Sequence, residues 1–155
     1  MNILPPIDIK FSNTFGAELR CKLVSSICMF YDLPDPVQFA KDIYAVLDQD
    51  GIWTCEQSYL LTMIRTNSID TICHEHLEYY ALTQIKNIAD LAKLKIVDVK
   101  FNSSNGGSFR IYFAKNKSKK YSECKDLINK ILTEEEKYKI KDENTYLNFV
   151  KNCDV

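Results

Sequence analysis

Two apolar runs flank an amphipathic segment in the first part of the chain. The run CKLVSSICMFYD, residues 21–32, is largely apolar until polar residues begin, a pattern typical of a buried strand. Apolar residues recur at helical spacing over 36–48, and the run IWTCEQSYL at 52–60 predicts a second strand. Strand, helix and strand in this order predict a βαβ unit, which implies a parallel sheet covered by helices.

Residues at both ends of the amphipathic segment support a helix there. Asp35 is a favourable N-cap residue, and Pro36 fits the first helical position. The segment DQDG is predicted to end the helix, because Gly51 is able to adopt a backbone conformation with positive φ.

The pattern changes after the second strand. Weak periodicity over 61–70 fits either a loop or an irregular helix, whereas the segment at 79–95 has apolar positions on one helical face and predicts a helix. Two further runs, 95–102 and 108–115, flank an Asn-Gly turn, and apolar and polar side chains alternate in the second run. This arrangement predicts an antiparallel hairpin at the edge of the sheet.

These elements together predict an α/β fold with a helical tail. The expected division is 1–116 for the α/β part and 117–155 for a helical C-terminal segment, whose Lys and Glu residues suit solvated helices. An α/β nucleotide-binding fold normally opens with a strand, a Gly-rich turn and a helix. None of the four glycines forms G-x-G-x-x-G or a P-loop, so the chain lacks that phosphate-binding turn.

Composition narrows the possible partners and compartment. The 155 residues suit one domain, with 46% hydrophobic and 26% charged residues. The net charge of -1 provides no general electrostatic footprint for nucleic acid or an anionic membrane. The chain has no apolar run of the ~20 residues that a membrane span needs, and its N-terminus lacks the pattern of an export signal. We therefore expect a cytoplasmic protein that binds neither nucleic acid nor membrane.

The cysteines and histidines are the candidates for metal binding, redox chemistry or catalysis. No two of the six cysteines have C-x-x-C spacing, so we expect reduced thiols without a zinc ribbon or thioredoxin site. Both histidines lie in the segment DTICHEHLEYY, which places Cys73, His74, Glu75 and His76 side by side. The segment is open to three interpretations: a solvated turn, a metal site, or a catalytic base. The spacing differs from the H-E-x-x-H of zincins, so no metal site is predicted.

Four segments of the chain resemble, in the same order, one enzyme family. They are SICMFYDLPDP, DGIWTCEQSYL, TNSIDTICHEHLEYYALTQI and LKIVDVKFNSSNGGSFRIY. The resemblance is to the S-adenosylmethionine-dependent C-methyltransferases of nucleotide-sugar metabolism, which methylate 4-keto deoxysugars. It implies the later half of a Rossmann-like methyltransferase domain and the helical start of a further domain. S-adenosylmethionine would be the cofactor, although the missing Gly-rich turn makes its binding by this chain alone doubtful.

The resemblance also implies roles for the His-Glu-His segment. C-methylation requires removal of a proton next to a ketone and stabilisation of the resulting enolate. The family pattern Tyr-His-Glu-His assigns the base to His76 and its partner carboxylate to Glu75, whereas Cys73 replaces the tyrosine.

Further site residues are expected around the ends of the predicted strands, where an α/β sheet binds its ligands. The expected substrate-binding residues are Tyr59, Cys73, His74, Tyr79, Asn105 and Arg110, and the expected cofactor-binding residues are Phe30, Tyr31 and Asp32. Structural roles remain open for several of them. Tyr79 also suits a core aromatic, Asn105 a turn, and Arg110 an exposed strand face.

Two functions from different classes are consistent with these observations. In the first, the chain provides the acceptor half of a C-methyltransferase for a nucleotide-activated keto-deoxysugar, and a second chain or self-association completes the cofactor site. In the second, the chain is a non-catalytic, truncated methyltransferase fragment that serves as an interaction or sugar-nucleotide-binding module. Its open sheet edge would then be the site of association.

Overall fold

The computed structural model describes residues 20–153, which form four strands and five α-helices. The strands are β1 (Cys21–Ile27), β2 (Leu47–Ser58), β3 (Leu94–Asn102) and β4 (Ser108–Lys115). The helices are α1 (Pro36–Val46), α2 (Leu60–Thr66), α3 (Leu82–Leu91), α4 (Lys125–Lys137) and α5 (Glu143–Cys153). Three short 3-10 turns lie at Phe30–Asp32, Ile69–Thr71 and Ser104–Gly106.

The strands form one mixed sheet in the order β1-β2-β4-β3. Strands β1 and β2 are parallel and are joined through α1, which confirms the predicted βαβ unit. Strand β4 is antiparallel to both β2 and β3, so the predicted hairpin is confirmed and β3 forms the edge of the sheet. The α/β fold class is therefore confirmed.

The first helix begins where the sequence predicted. The Asp35 side chain accepts a hydrogen bond from the Gln38 N–H at 2.8 Å, and Pro36 is the first helical residue. The helix ends at Val46 instead of 48, because Leu47 is extended and begins β2. Gly51 lies inside this strand: a Cβ there would stand 2.6 Å from the Cys21 carbonyl oxygen, so close backbone approach requires the glycine.

The prediction of a buried strand over 21–32 is wrong in two respects. Strand β1 ends at Ile27, and a 3-10 turn follows at Phe30–Asp32. One face of β1 is exposed, since Leu23 is 66% and Ile27 60% accessible, whereas Ser26 on the other face is buried. The side chains of a strand alternate between its faces, and an apolar run does not reveal which face the rest of the fold covers.

Aromatic and aliphatic side chains from the sheet and helices form one core. The indole of Trp53 in β2 stacks on the Phe113 ring in β4 at 4.5 Å between centroids, and its N–H donates to the Ser26 hydroxyl at 2.9 Å. The alternation predicted for 108–115 is confirmed, because Phe109, Ile111 and Phe113 are buried and Arg110 is exposed.

The segments around the two middle helices differ from the predicted bounds. Of the two alternatives for 61–70, the helical one is present as α2, which Asn67 ends in a left-handed conformation. Helix α3 is shorter than the predicted 79–95. Its N-cap residue Ala81 is extended, and Lys93 has a φ of 60° immediately before β3 begins.

The C-terminal helices pack on the α/β part. Ile128 and Ile131 of α4 are buried in the common core, as is Phe149 of α5, whereas Val150 is 54% exposed. The boundary at 116/117 stays a prediction. Within residues 20–153, no helix is both long and apolar enough to cross a membrane.

Candidate functional site

The His-Glu-His segment crosses the end of β1 without regular secondary structure. A turn bends it, because the His76 N–H donates to the Cys73 carbonyl at 3.3 Å. The Tyr31 carbonyl then accepts from the N–H groups of Leu77 at 3.0 Å and Glu78 at 3.1 Å. These backbone bonds fix the segment beside the C-terminal end of a parallel strand, which is where α/β sheets bind ligands.

The imidazole of His76 has a defined hydrogen-bond partner. Its Nδ1 lies 2.8 Å from the Thr71 carbonyl oxygen. A carbonyl only accepts hydrogen bonds, so Nδ1 carries the proton in the neutral ring and Nε2 keeps its lone pair. The Tyr31 ring packs on the imidazole with 4.1 Å between centroids, and Tyr79 contacts it edge-on at 6.1 Å. His76 is thus oriented with Nε2 as the proton acceptor.

The three residues before His76 face solvent. The His74 Nε2 and the Glu75 carboxylate are 4.0 Å apart, with side chains 81% and 76% exposed, and Cys73 is also exposed. The expected pairing of Glu75 with His76 is therefore not made, and Thr71 supplies the orienting acceptor instead. The turn ending at His76 directs the carboxylate outward.

Phe30 is the first of the three expected cofactor-binding residues. Its side chain is 1% exposed and packs against the rings of Phe39, Trp53 and Tyr80. This ring belongs to the core and does not face a ligand site, so the structure corrects the prediction for Phe30. The β1 strand ends three residues before it, and the following 3-10 turn directs the ring inward.

The other two residues of this turn lie beside His76. Burial raises the pKa of Tyr31 to about 12, and interaction with Cys28 contributes, so the phenol stays protonated at neutral pH. Asp32 is exposed. Its pKa is raised by partial burial, an effect that His76 opposes and Glu75 reinforces. Asp32 therefore supplies an accessible carboxylate near the imidazole.

Tyr59 contributes to the scaffold of the site. Its hydroxyl donates to a Glu135 oxygen at 2.8 Å, and the residue is 4% exposed, so this hydroxyl does not face a substrate as predicted. The Glu135 carboxylate also accepts from the Leu82 N–H at 2.7 Å and from the N–H and hydroxyl of Thr83 at 3.0 and 2.6 Å. Glu135 thus caps α3, whose N-cap residue Ala81 has no side-chain acceptor.

Sequence reasoning missed Glu135. The Lys- and Glu-rich tail suggested solvated helices, yet this carboxylate has an exposed fraction of 0%. Its partners in α3 lie 52 and 53 residues away, so no local pattern identifies it.

Asn105 lies in the turn between β3 and β4, in a left-handed conformation with φ of 50°. Its side-chain N–H donates to the Cys28 sulfur at 3.3 Å. Cys28 follows β1 and has a positive φ of its own. The contact brings Asn105 to the same end of the sheet as Tyr31, and Cys28 is a further residue that the sequence did not single out.

Arg110 is paired with a carboxylate inside the protein. Its Nε donates to Glu56, which is 6% exposed and also accepts from the Asn102 amide at 3.1 Å. The guanidinium therefore neutralises a buried charge at the end of β2. This pairing competes with the predicted contact to a substrate phosphate.

A small cavity lies beside His76. Its volume is about 10 Å³, and its lining includes Tyr31, Tyr59, Tyr79 and Tyr80. Four of the lining residues were predicted from the sequence as site residues: Tyr31, Tyr59, His76 and Tyr79. A larger cavity of about 600 Å³, lined by α4, the segment that follows it and Thr83 of α3, has none of the predicted site residues in its lining.

Two buried polar side chains at this end of the sheet have no hydrogen-bond partner among the described residues. They are the hydroxyl of Tyr80 and the amide of Gln57. Within residues 20–153, no three His, Cys, Asp or Glu side chains are placed to hold a metal ion.

Comparison with known proteins adds an independent observation. The C-methyltransferase NovU of Streptomyces niveus is 31% identical over 93 residues, which are 60% of this chain and 22% of NovU. This homology supports a methyltransferase family. No family model matches the chain. The match spans about a fifth of NovU, so it does not show that this chain has the activity of the whole NovU protein.

Solved structures were compared with the described fold. A Haloferax volcanii methyltransferase in complex with its Trm112 activator has a TM-score of 0.50 at 12% identity, covering 62% of this chain and 54% of that one. The complex of LepI with SAM has a TM-score of 0.49 at 12% identity, with 62% and 26% covered. The first likeness places the sheet and its helices in the methyltransferase fold.

Proposed function

We propose that the chain provides the acceptor side of a C-methyltransferase that acts on a nucleotide-activated keto-deoxysugar, with His76 as the base. The main support for this proposal is the orientation of the His76 imidazole. Its Nδ1 is hydrogen-bonded to the Thr71 carbonyl at 2.8 Å, so Nε2 is left to accept a proton. The partial homology to NovU and the ordered resemblance of four segments support this reaction class.

The proposed chemistry begins with a proton transfer. His76 Nε2 removes a proton from the carbon next to the ketone, the electron pair of that C–H bond forms a carbon–carbon double bond, and the carbonyl π pair moves to oxygen. The Thr71 carbonyl then stabilises the imidazolium through Nδ1–H, and the nearby charge of Asp32 adds to this. The imidazolium later releases its proton to solvent. S-adenosylmethionine, when bound, supplies an electrophilic methyl group.

The described residues fit this cofactor only in part. Of the three expected contacts, Asp32 has an exposed carboxylate that suits hydroxyl or ammonium donors, whereas Phe30 is buried. The chain has no Gly-rich turn. We propose that further polypeptide, from a second chain or another copy, completes the cofactor site. The Haloferax methyltransferase that shares the fold is itself found with an activator chain.

Two measurements test the proposed function. Calorimetric titration with S-adenosylhomocysteine measures whether the protein binds the cofactor product. Exchange of the proton next to the ketone, followed by NMR in heavy water, measures the base without any methyl donor. We expect His76→Gln to slow this exchange by about 10²–10⁴-fold, the usual contribution of a positioned base.

The matched control is His74→Gln, which alters the neighbouring, exposed imidazole. Exchange at the wild-type rate is expected for this variant. Equal exchange rates in the two variants would contradict a base role for His76, because the effect of the substitution would then not be specific to this imidazole.

A second function has one observation in its favour. Leu23 and Ile27 are exposed on β1, which pairs only with β2 among the described strands. An outer strand with apolar side chains is suited to association, so an interaction module is the alternative proposal. Light scattering after size exclusion tests it: Leu23→Lys should shift an oligomer towards monomer, and a wild-type monomer would contradict the proposal.

A further inference from the structure

Tyr80 differs from Tyr59 and Tyr146 in what its hydroxyl contacts. The residue is 4% exposed and lines the cavity beside His76, yet its hydroxyl has no hydrogen-bond partner among the described residues. The hydroxyl of Tyr59 donates to Glu135, and that of Tyr146 donates to the Ile140 carbonyl. A buried hydroxyl without a partner destabilises the fold, so the packing of the described residues gives no reason for a hydroxyl here.

The position of the Tyr80 ring is fixed by its surroundings. The Phe30 ring packs against it at 5.5 Å between centroids, and the Tyr80 carbonyl accepts from the Leu60 N–H at 2.9 Å. The next residue, Ala81, is the N-cap of α3, and its N–H donates to the Gln84 side chain at 3.0 Å. The hydroxyl is therefore held in place although nothing in the described fold binds it.

Charge and size define what this hydroxyl can bind. Burial raises the pKa of Tyr80 well above its usual range, with contributions from Glu78 and Cys55, so the phenol stays protonated and is a hydrogen-bond donor at neutral pH. The cavity of about 10 Å³ has room for roughly one water-sized group. It admits a single oxygen atom, so the rest of a bound sugar would lie outside the cavity.

We propose that Tyr80 is a catalytic residue of this site, whose hydroxyl donates a hydrogen bond to the ketone oxygen of the acceptor sugar. This inference rests on the proposed function. As His76 Nε2 takes the proton, the C–H electron pair forms the carbon–carbon double bond and the carbonyl π pair moves to oxygen. Tyr80 keeps its proton and stabilises the enolate oxygen through the hydrogen bond.

The test combines an exchange rate with a stability measurement. A thymidine diphosphate 4-keto-6-deoxyhexose serves as the probe, and NMR in heavy water follows the proton next to its ketone. We expect Tyr80→Phe to slow exchange by about 100-fold, the usual cost of removing one oxyanion donor. The thermal midpoint of the variant should equal or exceed that of the wild type, because a buried hydroxyl without a partner is removed.

The matched control is Tyr146→Phe, which removes a hydroxyl that is bonded within the C-terminal part. It should lower the thermal midpoint and leave exchange unchanged. The two tyrosine variants thus have opposite signatures, which separates loss of chemistry from loss of structure.

Each other outcome has a defined meaning. Wild-type exchange in Tyr80→Phe would overturn the inference and leave the proposed function intact. A midpoint that falls by several degrees would also overturn it, since the hydroxyl would then have a partner inside the fold. A wild-type protein that neither exchanges nor binds the probe would contradict the proposed function and, with it, this inference.

Discussion

Tyr59 and Tyr80 line one cavity, and their hydroxyls have opposite environments. The first donates to the Glu135 carboxylate, which the helix α3 N-terminus also contacts, whereas the second has no partner among the described residues. Both rings are 4% exposed, so burial alone does not distinguish them. The difference is instructive: one polar group is satisfied by the fold and holds the site together, and the other is left for a ligand.

The largest effect is expected when the hydrogen bonds that Glu135 accepts are removed. Glu135→Ala leaves the Tyr59 hydroxyl, the Leu82 N–H and the two Thr83 donors without their acceptor. We expect the free energy of unfolding to fall by about 3–5 kcal/mol, because several buried donors lose their partner together. Urea denaturation followed by circular dichroism measures the change.

Glu136→Ala is the control for that experiment, since this neighbouring carboxylate is exposed. Its effect should stay within about 0.5 kcal/mol, as is usual for surface substitutions. If both variants lost the same stability, the Glu135 network would not be the cause.

A smaller effect is expected from Tyr59→Phe, which removes one of the four donors to the carboxylate. The free energy of unfolding should fall by about 1.5–3 kcal/mol, the usual contribution of a hydrogen bond to a charged group. The same substitution at Tyr80 should not lower it. Parallel urea titrations of the two variants therefore sharpen the comparison, and equal losses would contradict it.

Much of the fold could be predicted because its signals are local. The Asp35-Pro36 cap fixes the start of α1, and the Asn-Gly turn with its alternating flanks fixes the hairpin. The exposed face of β1 could not be predicted in this way. Whether Leu23 is covered depends on what packs against the sheet, and that information is not present in the apolar run itself.

The candidate site was predictable in its central residue and less so in its partners. His76 was found because two histidines share one short segment that resembles a known motif. Its true orienting group is a backbone carbonyl, that of Thr71, and every residue has one, so no side-chain pattern marks it. Glu75 faces solvent beside the turn, so being next to His76 in the sequence does not make it the partner of that imidazole.

The Glu135 cap also limits which parts of the chain recombination can exchange without loss of stability. Helix α3, which follows the His-Glu-His segment, takes its N-terminal acceptor from α4, across the predicted boundary at 116/117. A recombination event that replaced everything after that boundary would keep every residue around His76 and still remove the acceptor. The new tail would have to bring a carboxylate to the same place, so the two parts are expected to be inherited together.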